Sequence, residues 1–172
     1  MLGLLSMTAG PGAETEKSRA ELFQDWRQRL EAAAQASHRG EDAQAVEFYD
    51  SILDEAETRG EDGLLVARAV DGLADLYREQ HRFDLAAPLY ERSVDAWTRL
   101  LGGAQPRRAV TLHNLGICYV ELADWPAAER VLREALTVWR DTGKAQRILQ
   151  TEKVLEAALA RRTIAWKKDE SR

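Results

Sequence analysis

The chain has 172 residues, 45% apolar and 31% charged, which suits one domain or a short repeat array and excludes broad disorder. Its net charge of -5 argues against general binding to nucleic-acid phosphates. A single cysteine, Cys118, excludes an internal disulfide and a multi-thiolate metal site, and His38, His81 and His113 are too scattered for an obvious metal cluster.

Residues 1–18 read as a disordered leader. Met1 to Met7 is apolar but brief, and no Lys or Arg precedes Lys17, so it lacks the charged start of a signal peptide. Met7 is an alternative start. No stretch approaches the ~20 apolar residues that span a bilayer. The expectation is a cytoplasmic protein without membrane contact.

Residues 19–143 carry an internal repeat. Leu73-Ala-Asp-Leu-Tyr77 matches Leu115-Gly-Ile-Cys-Tyr119 at an offset of 42. The same offset pairs Phe83 with Trp125, Ala86 with Ala128, Tyr90 with Leu132, Ser93 with Ala135 and Trp97 with Trp139. An earlier copy is weaker: Gly40 to Tyr49 resembles the stretch ending at Tyr90, while Leu30 to Ala36 carries alanines where later copies carry Leu and Tyr. The copies are predicted at 19–60, 61–102 and 103–143.

Each copy reads as two helices. Leu112, Leu115, Tyr119 and Leu122 share one helical face. Pro106 suits the first turn of that helix, and Asp124 caps the next, with Pro126 in its opening turn. Ala128, Val131, Leu132, Ala135, Leu136 and Trp139 continue an apolar stripe up to Gly143. Gly102 and Gly103 close the corresponding helix before it. Alternating strand patterns are missing. Ala74, Gly116, Ala45, Ala86 and Ala128 are small enough to let paired helices approach closely. A single hairpin cannot cover its own apolar face, so neighbours must stack.

Residues 144–168 follow as a last helix, with Ile148, Leu149, Leu155, Ala158 and Leu159 on one side and Arg147, Lys153, Arg161 and Arg162 on the other. Its expected role is to cap the stack. Residues 169–172 form a tail, and the basic set Arg161, Arg162, Lys167, Lys168 and Arg172 suits a solvated helix end. Ile164 and Trp166 are left without an assigned role.

Catalytic chemistry is not legible. His113 and Cys118 lie five apart on one helix, so they diverge by about 140° and do not form a nucleophile pair. Cys118 reads as a small buried hydrophobe. There is no phosphate loop after a strand and no zinc-type spacing. The chain is expected to be no enzyme and to need no cofactor.

The pattern of Leu115, Gly116, Tyr119, Ala128 and Ala135, met again by Leu73, Ala74, Tyr77, Phe83, Ala86 and Tyr90, resembles the tetratricopeptide repeat. That repeat usually has a period of about 34, and the longer spacing here is similar to the kinesin-light-chain variety. Gln105 to Gly116 and Glu91 to Gly102 carry that second likeness. The resemblance implies an all-α fold, a right-handed α-solenoid of about three helical hairpins plus a C-terminal capping helix. It implies a protein-interaction module, an adaptor or scaffold that takes a partner's peptide or helix in its concave groove.

In such a stack the first helix of each pair lines the inner face. The side chains between pattern residues are then His113, Asn114, Ile117 and Glu121 in the third copy. In the second they are Asp71, Asp75, Arg78 and Glu79. The first offers Glu31, Ala34, Ser37 and His38. The family often places Asn at the position of Asn114, where its amide can donate to and accept from a peptide backbone. Gly72 stands at that place in the second copy. The acidic set Asp71, Asp75, Glu79 and Glu121 predicts a basic or mixed-charge ligand. The family's carboxylate-binding variety needs several inner Lys, Arg and Asn, and only Arg78, Asn114 and Arg68 qualify. The alternatives are a self-associating subunit, as a homodimer or head-to-tail stack, and a peptide-sensing regulator.

Overall fold

The computed structural model describes residues 18–170, with side chains as far as Ile164. Residues 1–17 of the expected leader, with the alternative start at Met7, and the side chains of Trp166, Lys167, Lys168 and Arg172 lie outside it, whereas Ser18 is described.

Among the described residues seven helices follow one another: α1 Arg19–His38, α2 Asp42–Arg59, α3 Leu64–Glu79, α4 Phe83–Leu101, α5 Pro106–Glu121, α6 Trp125–Asp141 and α7 Ala145–Glu170. Local chemistry sets their ends. Ser18 and Glu21 form a reciprocal capping box on α1. Pro106 opens α5, where its missing N–H is no loss. The Asp124 carboxylate accepts from Ala127 N at the start of α6 (3.1 Å).

The turn inside each hairpin repeats one backbone device. Gly40, His81 and Ala123 all take a left-handed conformation, with φ of 75°, 58° and 59°. The residue after each donates its N–H back across the helix end: Glu41 to Ala36 O, Arg82 to Tyr77 O and Asp124 to Tyr119 O. This ties off carbonyls that the helix leaves open. The same closure reverses the chain between hairpins at Gly60 and Gly143.

Every helix packs on the next, so the chain is an all-α stack of hairpins. The odd-numbered helices also touch one another in sequence, α1 with α3, α3 with α5 and α5 with α7. Among the described residues the even-numbered helices make no such contact. One layer is therefore crowded and the other splayed, which places α1, α3 and α5 on the concave side. The core is built as successive clusters: Trp26, Ile52 and Val70 join the first three helices, Tyr90, Leu112 and Val131 join the middle ones, and half-buried Tyr77 and Leu89 pack against both. Leu132, Leu136, Leu155 and Ala158 seat α7.

The small residues sit where the hairpins close. Ala45, Ala74, Ala86 and Ala128 are fully buried. Gly116 lies under Leu132, and a Cβ there would stand 2.4 Å from Leu132 Cδ2. No helix of the described residues is long and apolar enough to cross a membrane.

Candidate functional site on the concave face

The sequence-predicted groove residues divide into two kinds. Some are consumed in holding helices together, and others remain open.

Asp71 belongs to the first kind, which corrects the expectation that it projects into the groove. It is 4% exposed. Its Oδ1 accepts from Ser93 and from Thr111 Oγ1 (3.1 Å), and its Oδ2 accepts from Trp97 Nε1 and Arg107 Nε (both 3.0 Å). One carboxylate thus ties α3 to α4 and α5. A buried carboxylate is tolerated when donors and a counter-charge satisfy it, and here they do. The physical reason for the misplacement is that position 71 faces the seam with α5 and the Trp97 indole, where its charge is compensated by residues from later helices.

Asp75 is only half-buried. Its Oδ1 accepts from the Tyr90 hydroxyl and from Asn114 Nδ2 (3.0 Å). Asn114 therefore cross-links α5 to α3 through its amide nitrogen. Its Oδ1 makes no hydrogen bond among the described residues. Arg78 donates to Tyr90 Oη (3.1 Å) and lies 3.5 Å from Glu79. Burial works against the Arg78 charge, but Tyr90, Asp75 and Glu79 outweigh it and its pKa is raised. Burial and the neighbouring carboxylate hold the Tyr90 phenol protonated, with its pKa pushed well up.

His113 is half-buried, and its Nδ1 lies 3.0 Å from Thr151 Oγ1 on α7. That hydroxyl donates to Arg147 O (2.8 Å). Its one proton is spent there, so we assign the ring proton to Nδ1. Burial lowers the His113 pKa, with Arg147 and Arg78 adding to the effect. Ile117 is half-buried, and Glu121 is exposed with an ion pair to Arg161 (3.4 Å). On α1, Glu31, Ala34 and His38 are exposed, and Ser37 is half-buried. Cys118 is wholly buried, and burial lifts its thiol to about 12, outside any nucleophilic range.

The sequence reading missed the tyrosine behind Gly72. A Cβ on Gly72 would stand 2.4 Å from Cζ and 2.5 Å from Oη of Tyr49. The glycine exists because that ring passes through the space. Tyr49 is 6% exposed, and its hydroxyl has no hydrogen-bond partner among the described residues. Burial raises its pKa, and Asp75 adds to this while Arg68 opposes it. The signal in the sequence was the absent side chain at 72, where the next copy has Asn114. At the α1 end of the same face, Phe23, Trp26, Arg27, Leu64 and Leu65 help line a cleft of ≈ 310 Å³. The described residues hold no group of three or more His, Cys, Asp or Glu that could bind a metal ion.

A stack of helical hairpins with a crowded inner layer and a splayed outer one is the architecture of an α-solenoid repeat protein. The tetratricopeptide repeat pattern matches residues 29–96 and 65–141, and the chain belongs to that family. Such repeats build protein-interaction modules. No curated protein matches the chain. Two solved structures share the fold. BtubC (BKLC) from P. vanneervenii superimposes with a TM-score of 0.66 at 20% identity, over 83% of this chain and 66% of that one. A variant of a kinesin-light-chain candidate from Podosopora anserina, with nearly identical TPR-like repeats, gives 0.66 at 19% identity, over 77% and 64%. The chain thus spans a little under two thirds of the length of these neighbours.

Proposed function

We propose that the chain is a non-catalytic adaptor that holds an extended peptide or a helix of a partner protein along α1, α3 and α5. The observation that carries this reading is the state of the groove floor. Tyr49 Oη, packed over Gly72, and Asn114 Oδ1, on an amide whose nitrogen is held by Asp75, are hydrogen-bonding groups with open capacity. Burying such groups against a partner is favourable only when the partner supplies matching polar atoms, and a peptide backbone supplies them at regular intervals.

The electrostatics favour a mixed-charge partner. Asp71 spends its charge on Arg107, and Asp75 shares its own with Tyr90, Asn114 and nearby Arg78. Glu31, Glu79 and Arg68 remain exposed on the same face. Ile117 and the cleft beside Phe23 and Leu64 offer apolar footing for one or two partner side chains.

Photo-crosslinking tests the proposal. A benzoylphenylalanine at Ile117 or Glu79 should capture a partner that the same probe at Arg133, exposed on α6, does not. Equal capture at Arg133 would move the binding surface away from the groove. Asn114→Ala should weaken the groove capture while leaving helicity intact.

A further inference from the structure

We propose that the outer face of α7 pairs with the same face of a second copy, antiparallel and two-fold symmetric. Leu149, Lys153, Glu156, Ala160 and Ile164 are spaced at four, three, four and four residues, so they form one stripe along the helix. All five are exposed, Leu149 at 55% and Ile164 at 68%. The opposite side of α7, with Thr151, Leu155 and Ala158, is buried against the stack.

Apart from Arg147, whose guanidinium donates to Gln150 Oε1, the described charges on α7 fall into two sets. Glu152, Arg161 and Arg162 pair with Arg140, Glu121 and Glu129 of the same chain. Lys153 and Glu156 make no ion pair among the described residues. They are the charges of the stripe, and they are of opposite sign, one helical turn apart.

This face does not suit the kind of helix that packs on α5. Thr111 and Thr151 play one part in successive layers. Each hydroxyl lies within hydrogen-bond distance of the carbonyl four residues back, and each also bonds the inner helix before it, Thr111 at Asp71 and Thr151 at His113. That register of forty places Glu156 where α5 has Gly116. Leu132 of α6 presses directly onto Gly116. A carboxylate at that point would be buried against an apolar side chain, at a cost no hairpin contact recovers. A helix that covers α7 must stand further off and bring a cation.

A second α7 does both. Rotated about a point between Val154 and Leu155, the stripe meets itself with Lys153 against Glu156 of the second copy, and Glu156 against its Lys153. Leu149 falls on Ala160 and Ile164 on Ala145, large on small at each end. The contact runs from Ala145 to Ile164, ~29 Å at 1.5 Å per residue. Such an isologous pairing is closed and builds no filament.

Sedimentation velocity on the full chain tests this at low and moderate salt. The wild type should pass from 19.3 kDa to twice that mass as concentration rises. Lys153→Glu and Glu156→Lys each turn two attractive pairs into two repulsive ones, which should weaken association by roughly tenfold or more. An equimolar mixture of the two variants restores both pairs and should dimerise like the wild type. Circular dichroism checks that each variant is as helical as the parent. A wild type that stays at monomer mass overturns the proposal. So do single variants that dimerise undiminished, or a mixture that fails to recover.

Discussion

Gly116→Ala should destabilise the protein in one background and stabilise it in another. The new Cβ would lie 2.4 Å from Cδ2, 2.5 Å from Cγ and 3.3 Å from Cδ1 of Leu132. Carbon atoms in contact prefer about 3.5–4.0 Å, so the intrusion exceeds an ångström. Leu132 is fully buried in the cluster with Ala128, Leu136 and Leu155, which leaves it little room to retreat. Overpacking of this kind costs about 1–3 kcal/mol. Against it stands the helix preference of Ala over Gly, roughly 0.5–1 kcal/mol. The net loss should be about 1–2 kcal/mol, or roughly 2–8 °C in melting temperature for a chain of this size. Leu132→Ala alone should cost about 2–5 kcal/mol, through lost contacts and a cavity. In that cavity the methyl added at position 116 finds space, so adding Gly116→Ala to Leu132→Ala should raise stability by roughly 0.5–1 kcal/mol. Urea titrations followed by circular dichroism, with unchanged m-values, give the four corners of the cycle. The same sign in both backgrounds would refute the claim that Leu132 is what requires glycine at 116.

Ala123→Gly should stabilise the chain by about 1 kcal/mol, read as a higher urea midpoint, because an L-residue at φ 59° carries a steric cost that glycine does not. The neutral state of His113 should show in acid. Its folded pKa is lowered, so the unfolded chain binds more protons as pH falls. Stability is then unaffected by this group above the unfolded value near 6.5 and lost progressively below it. His113→Gln, which keeps a partner for Thr151, should flatten the upper part of that acid limb, and an unchanged profile would assign the slope to other groups.

The helices and the repeat were legible because they rest on local signals. Apolar spacing, proline at a first turn and an aspartate cap are written in neighbouring residues. The small contact residues also declared themselves, since Ala and Gly recurred at one offset. The turns were half legible. Gly40 announces a left-handed residue, but His81 and Ala123 adopt the same φ without any compositional sign. The groove was read least well. Asp71 follows the same helical spacing as its exposed neighbours, and its burial depends on Ser93, Trp97, Arg107 and Thr111, which converge only after α4 and α5 have packed. Asn114 is half-buried on α5, and half its amide is spent on Asp75, thirty-nine residues away, a contact that no local pattern announces. Tyr49 reaches the floor from an outer helix, a route that no pattern along α3 contains.

Comparison of the two inner seams leads to one more expectation. In the α3–α5 seam, Asp71 gathers Ser93, Trp97, Arg107 and Thr111. In the α5–α7 seam the corresponding places hold His113, Ala135, Trp139, Arg147 and Thr151. The acceptor has become a ring, and one hydroxyl has become a methyl. The Trp139 indole N–H, at the place where Trp97 finds Asp71, is buried without a partner among the described residues. Arg147 meets a group whose protonation it disfavours rather than a carboxylate. An unmade buried hydrogen bond costs about 1–3 kcal/mol. The seam that seats α7 should therefore open before the seam that seats α5. Hydrogen exchange should show faster amides in Thr151–Ala158 than in Thr111–Cys118. His113→Asp restores a carboxylate to face Trp139, Thr151 and Arg147, and it should slow exchange in α7 selectively at neutral pH. Faster exchange in α7, or an equal effect on α3, would mean that the two seams do not share one register.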